Sequence, residues 1–164
     1  MAIFIRGSSR HRTFKVAVGG HEKGKRGYKM GVNLFPSKCN ICGGSVIYIS
    51  NAKIYGREYG SGKCYYCTAC GAYVGTHKPR PKEALGILGN AEMRAMKRKC
   101  HELFDKQWKN EKTYKKRCMA RKKAYAELAV ILDIPAEECH FGYFDTDMLI
   151  KAYKSMIGRE KGVK

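Results

Sequence analysis

Two Cys-x-x-Cys pairs, Cys39-Asn-Ile-Cys42 and Cys67-Thr-Ala-Cys70, constrain what this chain can fold into more than any other feature. The two-residue spacing lets both thiolates of a pair face one metal ion. The glycine after each pair, Gly43 and Gly71, lets the backbone turn tightly while its N–H groups point at sulfur. Two such knuckles predict a closed tetrahedral site holding one structural Zn2+ on Cys39, Cys42, Cys67 and Cys70. A catalytic zinc needs an open position for water, and four thiolates leave none. Between the pairs, residues 45–49 and 63–66 read as strands separated by a glycine-rich turn region at 55–62, with a further strand at 72–75. This is the layout of a zinc ribbon.

Cys64 complicates the choice of ligands, because Cys64-Tyr-Tyr-Cys67 has the same spacing. Pairing Cys64 with Cys67 frees Cys70, yet Cys70 is followed by glycine as Cys42 is, so symmetry favours Cys67 with Cys70 and makes Cys64 a small strand residue. His77 lies close enough in sequence to substitute as a ligand, but four cysteines already suffice and it reads as a loop residue. The zinc-deaminase pattern is absent, since His21 is followed directly by Glu22 and no proline precedes Cys39 or Cys67.

The metal reading of the eight cysteines depends on compartment. The longest apolar run, at 128–132, is far short of the roughly 20 residues a membrane span requires. The opening apolar residues are interrupted at Arg6 and lead to no cleavage-site pattern, which reads against a secretory signal and for a cytoplasmic location. There thiols stay reduced, and clustered thiols read as ligands rather than disulfides.

Charge is distributed unevenly. The chain carries +19, and residues 1–36 hold eight Lys and Arg against Glu22 alone, while residues 37–82 hold seven against Glu58 alone. The remaining +6 sits in residues 83–164, where both signs mix as on ordinary exposed helices. The chain thus divides into a basic Gly/Lys-rich N-terminal arm (1–36), a ribbon (37–82) and a helical segment (83–164). The arm has a short predicted strand at 13–18 and then few residues able to anchor it to a core. Gly19-x4-Gly24-Lys25 nearly matches a phosphate-binding loop, but Arg26 replaces the hydroxyl residue that would hold magnesium, and Gly27 and Gly31 argue against the helix that would follow.

From Asn90 the apolar period becomes helical. Asn90 suits a cap, Glu92 the first turn, and Met93, Met96, Cys100, Leu103, Phe104 and Trp108 recur on one face. A Lys-rich connector at 109–117 leads to a second predicted helix over 120–132, stopped by Pro135. A third begins after the cap Asp145 and is expected to end near Gly158. The 133–144 linker is too long for a compact helix-turn-helix. Its cluster Cys139-His140-Phe-Gly-Tyr-Phe-Asp145 reads as a packed loop, with Phe141, Tyr143 and Phe144 plugging the helical core, because adjacent residues of an extended chain point opposite ways and cannot easily bind one ion. Cys100 and Cys118 read as buried small apolar residues. His101 and Asp105, four apart on α-helical spacing, favour a hydrogen bond over an incomplete catalytic constellation. The fold class expected is small α+β: a four-cysteine zinc ribbon of short antiparallel strands, then a three-helix segment, with a basic arm in front.

Taken in order, Cys39-x-x-Cys42-Gly, Ile54-Tyr-Gly-Arg-Glu-Tyr-Gly60, Cys67-x-x-Cys70-Gly-Ala-Tyr-Val-Gly-Thr-His77, Leu85-Gly, Asn90-Ala-Glu-Met-Arg94, Cys100-His-Glu-Leu-Phe-Asp105 to Trp108, Ala124-Tyr-Ala-Glu-Leu-Ala129 and Cys139-His-Phe-Gly-Tyr-Phe-Asp145 resemble the zinc-finger-containing domain family of bacterial and phage proteins. The resemblance covers residues 37 to about 157 and implies a ribbon fused to a helical segment, often in phages and prophages, with no settled activity. It puts the ligands on the same four cysteines, implies a bacterial host cell as the location, and sets His101, Asp105, His140 and Asp145 at motif positions.

The functional expectation is a non-enzymatic protein that binds DNA or RNA. Its contacts are expected from Arg10, Arg12, Lys23, Lys25, Arg26 and Lys29 of the arm and Lys53, Arg57, Lys63, Lys78 and Arg80 of the ribbon, interleaved with Tyr28, Tyr48, Tyr55, Tyr59, Tyr65, Tyr66 and Tyr73. The competing expectation is a module docking on a host protein such as RNA polymerase or a nuclease. An enzyme built on His101, Asp105 and His140 ranks below both.

Overall fold

The computed structural model describes residues 31–162, with side chains through residue 158. Most of the predicted arm, including the 13–18 strand, Tyr28 and the six arm cations, lies outside the described residues. The ribbon is a three-stranded antiparallel sheet in the order β1 (Val46–Ser50), β2 (Lys63–Cys67), β3 (Tyr73–Gly75). Each strand falls where alternation and flanking glycines predict. A short helix, α1 (Ala52–Tyr55), opens the β1–β2 connection and ends at Gly56 in the left-handed region (φ 74°). One turn of helix is too short to leave a periodic signal, so the sequence pattern shows only a turn region there.

Register decides what each face of the sheet does. Val46 pairs with Cys67, Tyr48 with Tyr65, Ile49 with Cys64, Cys64 with Gly75, and Tyr66 with Tyr73. One face therefore carries Val46, Tyr48, Tyr65, Cys67 and Val74, and buries a small core completed by Cys39, Ala72, Ala84 and Leu88. The opposite face carries Ile47, Ile49, Cys64, Tyr66, Tyr73 and Gly75.

The helical segment contains α2 (Ala91–Asp105), α3 (Tyr114–Leu132) and α4 (Thr146–Gly162). Asn90 caps α2 as expected, its side-chain oxygen accepting from Met93 N at 2.9 Å. Trp108 falls in the turn after α2 yet still packs against the helical core. The second helix starts at Tyr114, so the predicted connector at 109–117 is partly helix. Thr113 supplies a cap to Lys116 N at 3.3 Å, and Lys and Arg are good helix formers, so a charge run does not have to be a linker. This earlier start carries Cys118 onto an exposed turn, contrary to the buried role expected of it, whereas Cys100 is buried and its thiol lies 3.5 Å from Leu149 O. The helix ends at Asp133 (φ 58°), whose N–H returns to Ala129 O and Val130 O. Asp145 caps α4 through Met148 N at 2.9 Å. That helix then runs through Gly158 to Gly162, because one interior glycine costs only about 1 kcal/mol and cannot end a helix unaided.

α4 packs on α2 and, less extensively, on α3, around Phe104, Phe141, Leu128, Leu132, Leu149 and Met156. Phe141 and Phe144 of the 133–144 linker are buried in this core, as predicted, whereas Tyr143, expected beside them, is only half-buried and lies outside the core cluster. The architecture is the α+β arrangement expected, a four-cysteine ribbon followed by a helical segment.

A strap at residues 84–89 joins the two parts. It bridges Thr76 through Ala84 and Tyr73 through Gly89, and its Ile87 N–H donates to Gly142 O at 2.9 Å in the helical linker. Gly86 and Gly142 meet backbone to backbone. A Cβ at Gly86 would lie 2.0 Å from Gly142 O, and one at Gly142 would lie 2.6 Å from Leu85 O. Lys97 of α2 covers the crossing, its Nζ donating to Gly142 O at 3.3 Å.

Candidate metal centre and the aromatic face

The four predicted ligands come together. The sulfurs of Cys39, Cys42, Cys67 and Cys70 all lie within 4.8 Å of one another, and they form the only such cluster of potential ligands among the described residues. Cys39 and Cys70 sulfurs are 3.7 Å apart and those of Cys42 and Cys67 3.5 Å. A tetrahedron with Zn–S bonds of about 2.3 Å has sulfurs about 3.8 Å apart, so the site has the size a zinc ion requires.

Each knuckle supplies the same backbone frame. Gly43 N–H donates to Cys39 O at 2.9 Å and Gly71 N–H to Cys67 O at 3.1 Å, with both glycines left-handed (φ 71° and 73°). Ile41 N–H points at Cys39 Sγ and Gly44 N–H at Cys42 Sγ, each at 3.4 Å. Backbone donors stabilise negative sulfur. The N–H of Cys70, with that of Ala69 and the neighbouring thiols, holds the Cys67 thiol down to about 6 against its own burial. Gly44 has no room for a side chain, since a Cβ there would sit 2.7 Å from Ala69 Cβ. Asn40 ties the first knuckle to the strap through Leu88 O at 3.1 Å.

The donor set fits one structural zinc held by Cys39, Cys42, Cys67 and Cys70. Cys64 is not among them. It sits in β2 opposite Ile49 and Gly75, fully buried, and burial raises its thiol pKa.

The ribbon tyrosines separate into two groups that composition alone does not distinguish. Tyr48 and Tyr65, on the core face, donate to Pro81 O and Lys82 O, both at 2.8 Å, and so hold the 78–82 loop against the sheet. Tyr55, Tyr59 and Tyr73 form a second group with centroid separations of 5.6 Å (Tyr55–Tyr59) and 5.9 Å (Tyr55–Tyr73), edge to face. Burial and the hydrogen bond to Tyr73 raise the Tyr55 hydroxyl to about 12. These three line a cleft of about 420 Å³ with Asn51, Ser61, Lys63, Thr76 and Leu85, and with Cys64 and Gly75.

The predicted ribbon cations cluster unequally around it. Arg57 lies over the Tyr59 ring at 4.6 Å and donates to its hydroxyl, and Lys53 lies 5.9 Å from the Tyr66 centroid. Lys63 pairs with Glu58 at 3.9 Å, and Arg80 pairs with Glu83 in the loop before the strap. Lys78 lies exposed in the same loop, which Tyr48 and Tyr65 anchor from the other side of the sheet. Sequence reasoning missed Arg94 as part of this surface. Its guanidinium sits 3.9 Å from the Tyr73 centroid and donates to Gly89 O. Nothing short of the β3–strap pairing, which brings the start of α2 beside Tyr73, could have revealed that contact.

Of the residues weighed for catalysis, His140 and Cys139 are engaged in packing, while His101 and Asp105 are half-buried and line an open cleft of about 500 Å³ with Arg98, Glu102 and Lys109. His101 is edge-on to Phe141 at 4.9 Å, and burial lowers its pKa, opposed by Asp105. Asp105 pairs with Lys109 at 2.7 Å. His140 Nδ1 accepts from Gly142 N at 3.2 Å while its ring stacks on Tyr125. Cys139 is buried, which raises its thiol to about 11. His77 belongs to the loop after β3, where its N–H donates to Glu83 O at 3.0 Å.

No helix among the described residues is long and apolar enough to cross a membrane. A family model described as a zinc-finger-containing domain matches residues 35–159. No curated protein and no solved structure matches the chain.

Proposed function

Since the chain belongs to the zinc-finger-containing domain family, we propose that its zinc serves to present a basic surface, and that the protein is a non-enzymatic binder of nucleic acid acting through its arm and ribbon. The observation carrying this reading is the charge of the ribbon: residues 37–82 set seven Lys and Arg against Glu58 alone, and the net charge of about −2 on a zinc held by four thiolates leaves most of that excess unbalanced. Lys and Arg that neutralise phosphates release condensed counterions, which makes binding strong at low salt and sequence-tolerant. Surface ion pairs such as Lys63–Glu58 contribute little on their own and can be exchanged for a phosphate partner. The closed thiolate site, the contact of His101 with Phe141 and the engagement of His140 by Gly142 N and Tyr125 support the non-enzymatic part. A phage or prophage origin and action in the cytoplasm of a bacterial host belong to the same reading and rest on the order of motifs.

Fluorescence anisotropy of labelled DNA and RNA oligonucleotides against salt tests it. With about four phosphates neutralised, affinity falls roughly a hundredfold between about 50 and 200 mM salt. Absence of binding at low salt, together with a protein partner retained after nuclease treatment, would overturn the reading in favour of docking on a host protein.

A further inference from the structure

The face of the sheet opposite the ribbon core is built as a cleft rather than packed shut. Its floor is two small residues at facing register positions, Cys64 and Gly75. Its walls are Tyr55, at the end of α1, Tyr59, and Tyr73 of β3. Tyr55 and Tyr59 are each about half exposed, at 49% and 46%. Exposing two adjacent aromatic rings forgoes burial that a longer side chain at position 64 or 75 could have recovered.

Tyr59 is held in place from behind. Asn51, itself buried, accepts from Tyr59 N at 3.1 Å and donates to Tyr59 O at 2.8 Å, so both backbone groups of Tyr59 are fixed to one side chain. Ser61 and Thr76 place two hydroxyls, 2.6 Å apart, on another wall of the cleft. Arg57 over Tyr59 and Arg94 over Tyr73 put cations against the same aromatic group. The nearby acid Glu58 is engaged by Ser50 Oγ at 2.8 Å and by Lys63.

We infer that this cleft receives one unpaired nucleobase, stacked on Tyr59 and met edge-on by Tyr55, whose ring stands at 86° to that of Tyr59, with Arg57 and Arg94 serving the adjoining phosphates, so that the protein selects single-stranded over duplex nucleic acid. A volume of about 420 Å³ lies in the roughly 300–1,000 Å³ range of small-ligand sites and suits a single base. In a duplex both π-faces of every internal base are already stacked, so tyrosine faces gain nothing there. In an unpaired strand they are free, and each stacked base contributes about 1–3 kcal/mol. Because Asn51 fixes Tyr59 beforehand, little ordering is needed on binding.

The inference rests on the nucleic-acid reading, and one experiment separates the two. Anisotropy titrations of the full chain compare an unstructured single strand with a hairpin duplex of the same length and label, for the unaltered protein, Tyr59→Ala and Tyr59→Trp. The single strand is expected to bind at least tenfold more tightly than the duplex. Tyr59→Ala is expected to lower single-strand affinity about five- to a hundredfold, leaving duplex affinity and the salt slope unchanged, while Tyr59→Trp retains the preference. Unchanged zinc content and circular dichroism confirm that the exposed substitution leaves the ribbon folded. Equal, salt-dependent binding of both probes that Tyr59→Ala does not alter overturns the cleft and leaves the nucleic-acid reading standing. Failure to bind either probe overturns both.

Discussion

The ribbon and the helical segment solve the stability problem by different means. The helical segment buries large side chains, with Phe104, Phe141, Leu132 and Leu149 almost wholly removed from water. The ribbon core is made of Cys39, Cys67, Ala72 and Ala84 beside only a few larger residues, Tyr65, Val74 and Leu88. Strands of five, five and three residues cannot bury enough apolar area to stand alone, and two-sided burial is given up on the aromatic face. A metal replaces the missing core. It also frees a sheet face from packing duty, which leaves Tyr55 and Tyr59 half exposed there, with Arg57 over the Tyr59 ring.

That contrast can be broken most forcefully by removing the metal. Structural zinc contributes about 10–16 kcal/mol to small zinc-finger folds, far more than a sheet of this size can lose. Chelation, or Cys39→Ser with Cys70→Ser, is expected to abolish hydrogen-exchange protection in β1, β2 and β3 while α2, α3 and α4 keep theirs. Loss of helical protection in parallel shows that the two parts fold as one unit. A smaller effect isolates the joint. Gly86→Ala drives a methyl group into Gly142 O, and we expect about 3 kcal/mol of destabilisation in denaturant titration, with zinc retained and protection lost at Ile87 N. Undiminished stability there rules out the backbone crossing as a structural tie.

The smallest expected effect concerns the cation at that joint. Burial, with a lesser contribution from Arg94, lowers the Lys97 amine to about 8. Its folded pKa lies below the unfolded value of about 10.4, so at pH 7 both states are protonated, and above pH 8 the unfolded chain binds the extra proton. Stability therefore rises as pH climbs from about 7 to 9.5, by about 1–2 kcal/mol. Lys97→Met should flatten that rise in urea midpoints; an identical pH slope in the variant assigns it to other groups.

What can be read from sequence follows the range of the interactions concerned. The ligand cysteines are legible because each knuckle is a local object: spacing, glycine and backbone donors lie within a few residues of one another. Asn90 and Asp145 are legible as caps for the same reason. Thr113 is an equally local cap, yet the lysines after it read as a connector, since charge alone does not separate a solvated helical turn from a linker. Gly158 misleads in the opposite sense: glycine ends a helix where the chain needs a left-handed turn, and here it needs none. The division of the tyrosines between anchors and cleft is illegible. It depends on the register of β1, β2 and β3, which sets Tyr48 and Tyr65 on one face and Tyr73 on the other, and on how the β1–β2 connection brings Tyr55 and Tyr59 to that second face. The contact of Arg94 with Tyr73 and the meeting of Gly86 with Gly142 are long-range and leave no mark in local pattern.

The glycine crossing carries a consequence for how this chain can change over generations. Most steric conflicts can be relieved by a second mutation that trims the neighbouring side chain. At residue 86 the obstacle is the carbonyl of residue 142, and at residue 142 it is the carbonyl of residue 85. A peptide carbonyl is present whatever amino acid is encoded, and glycine has nothing left to trim. Neither position has a local suppressor, so the pair should stay frozen among functioning descendants while the surrounding surface drifts. Invariance there would report geometry, and should not be mistaken for the signature of a binding site.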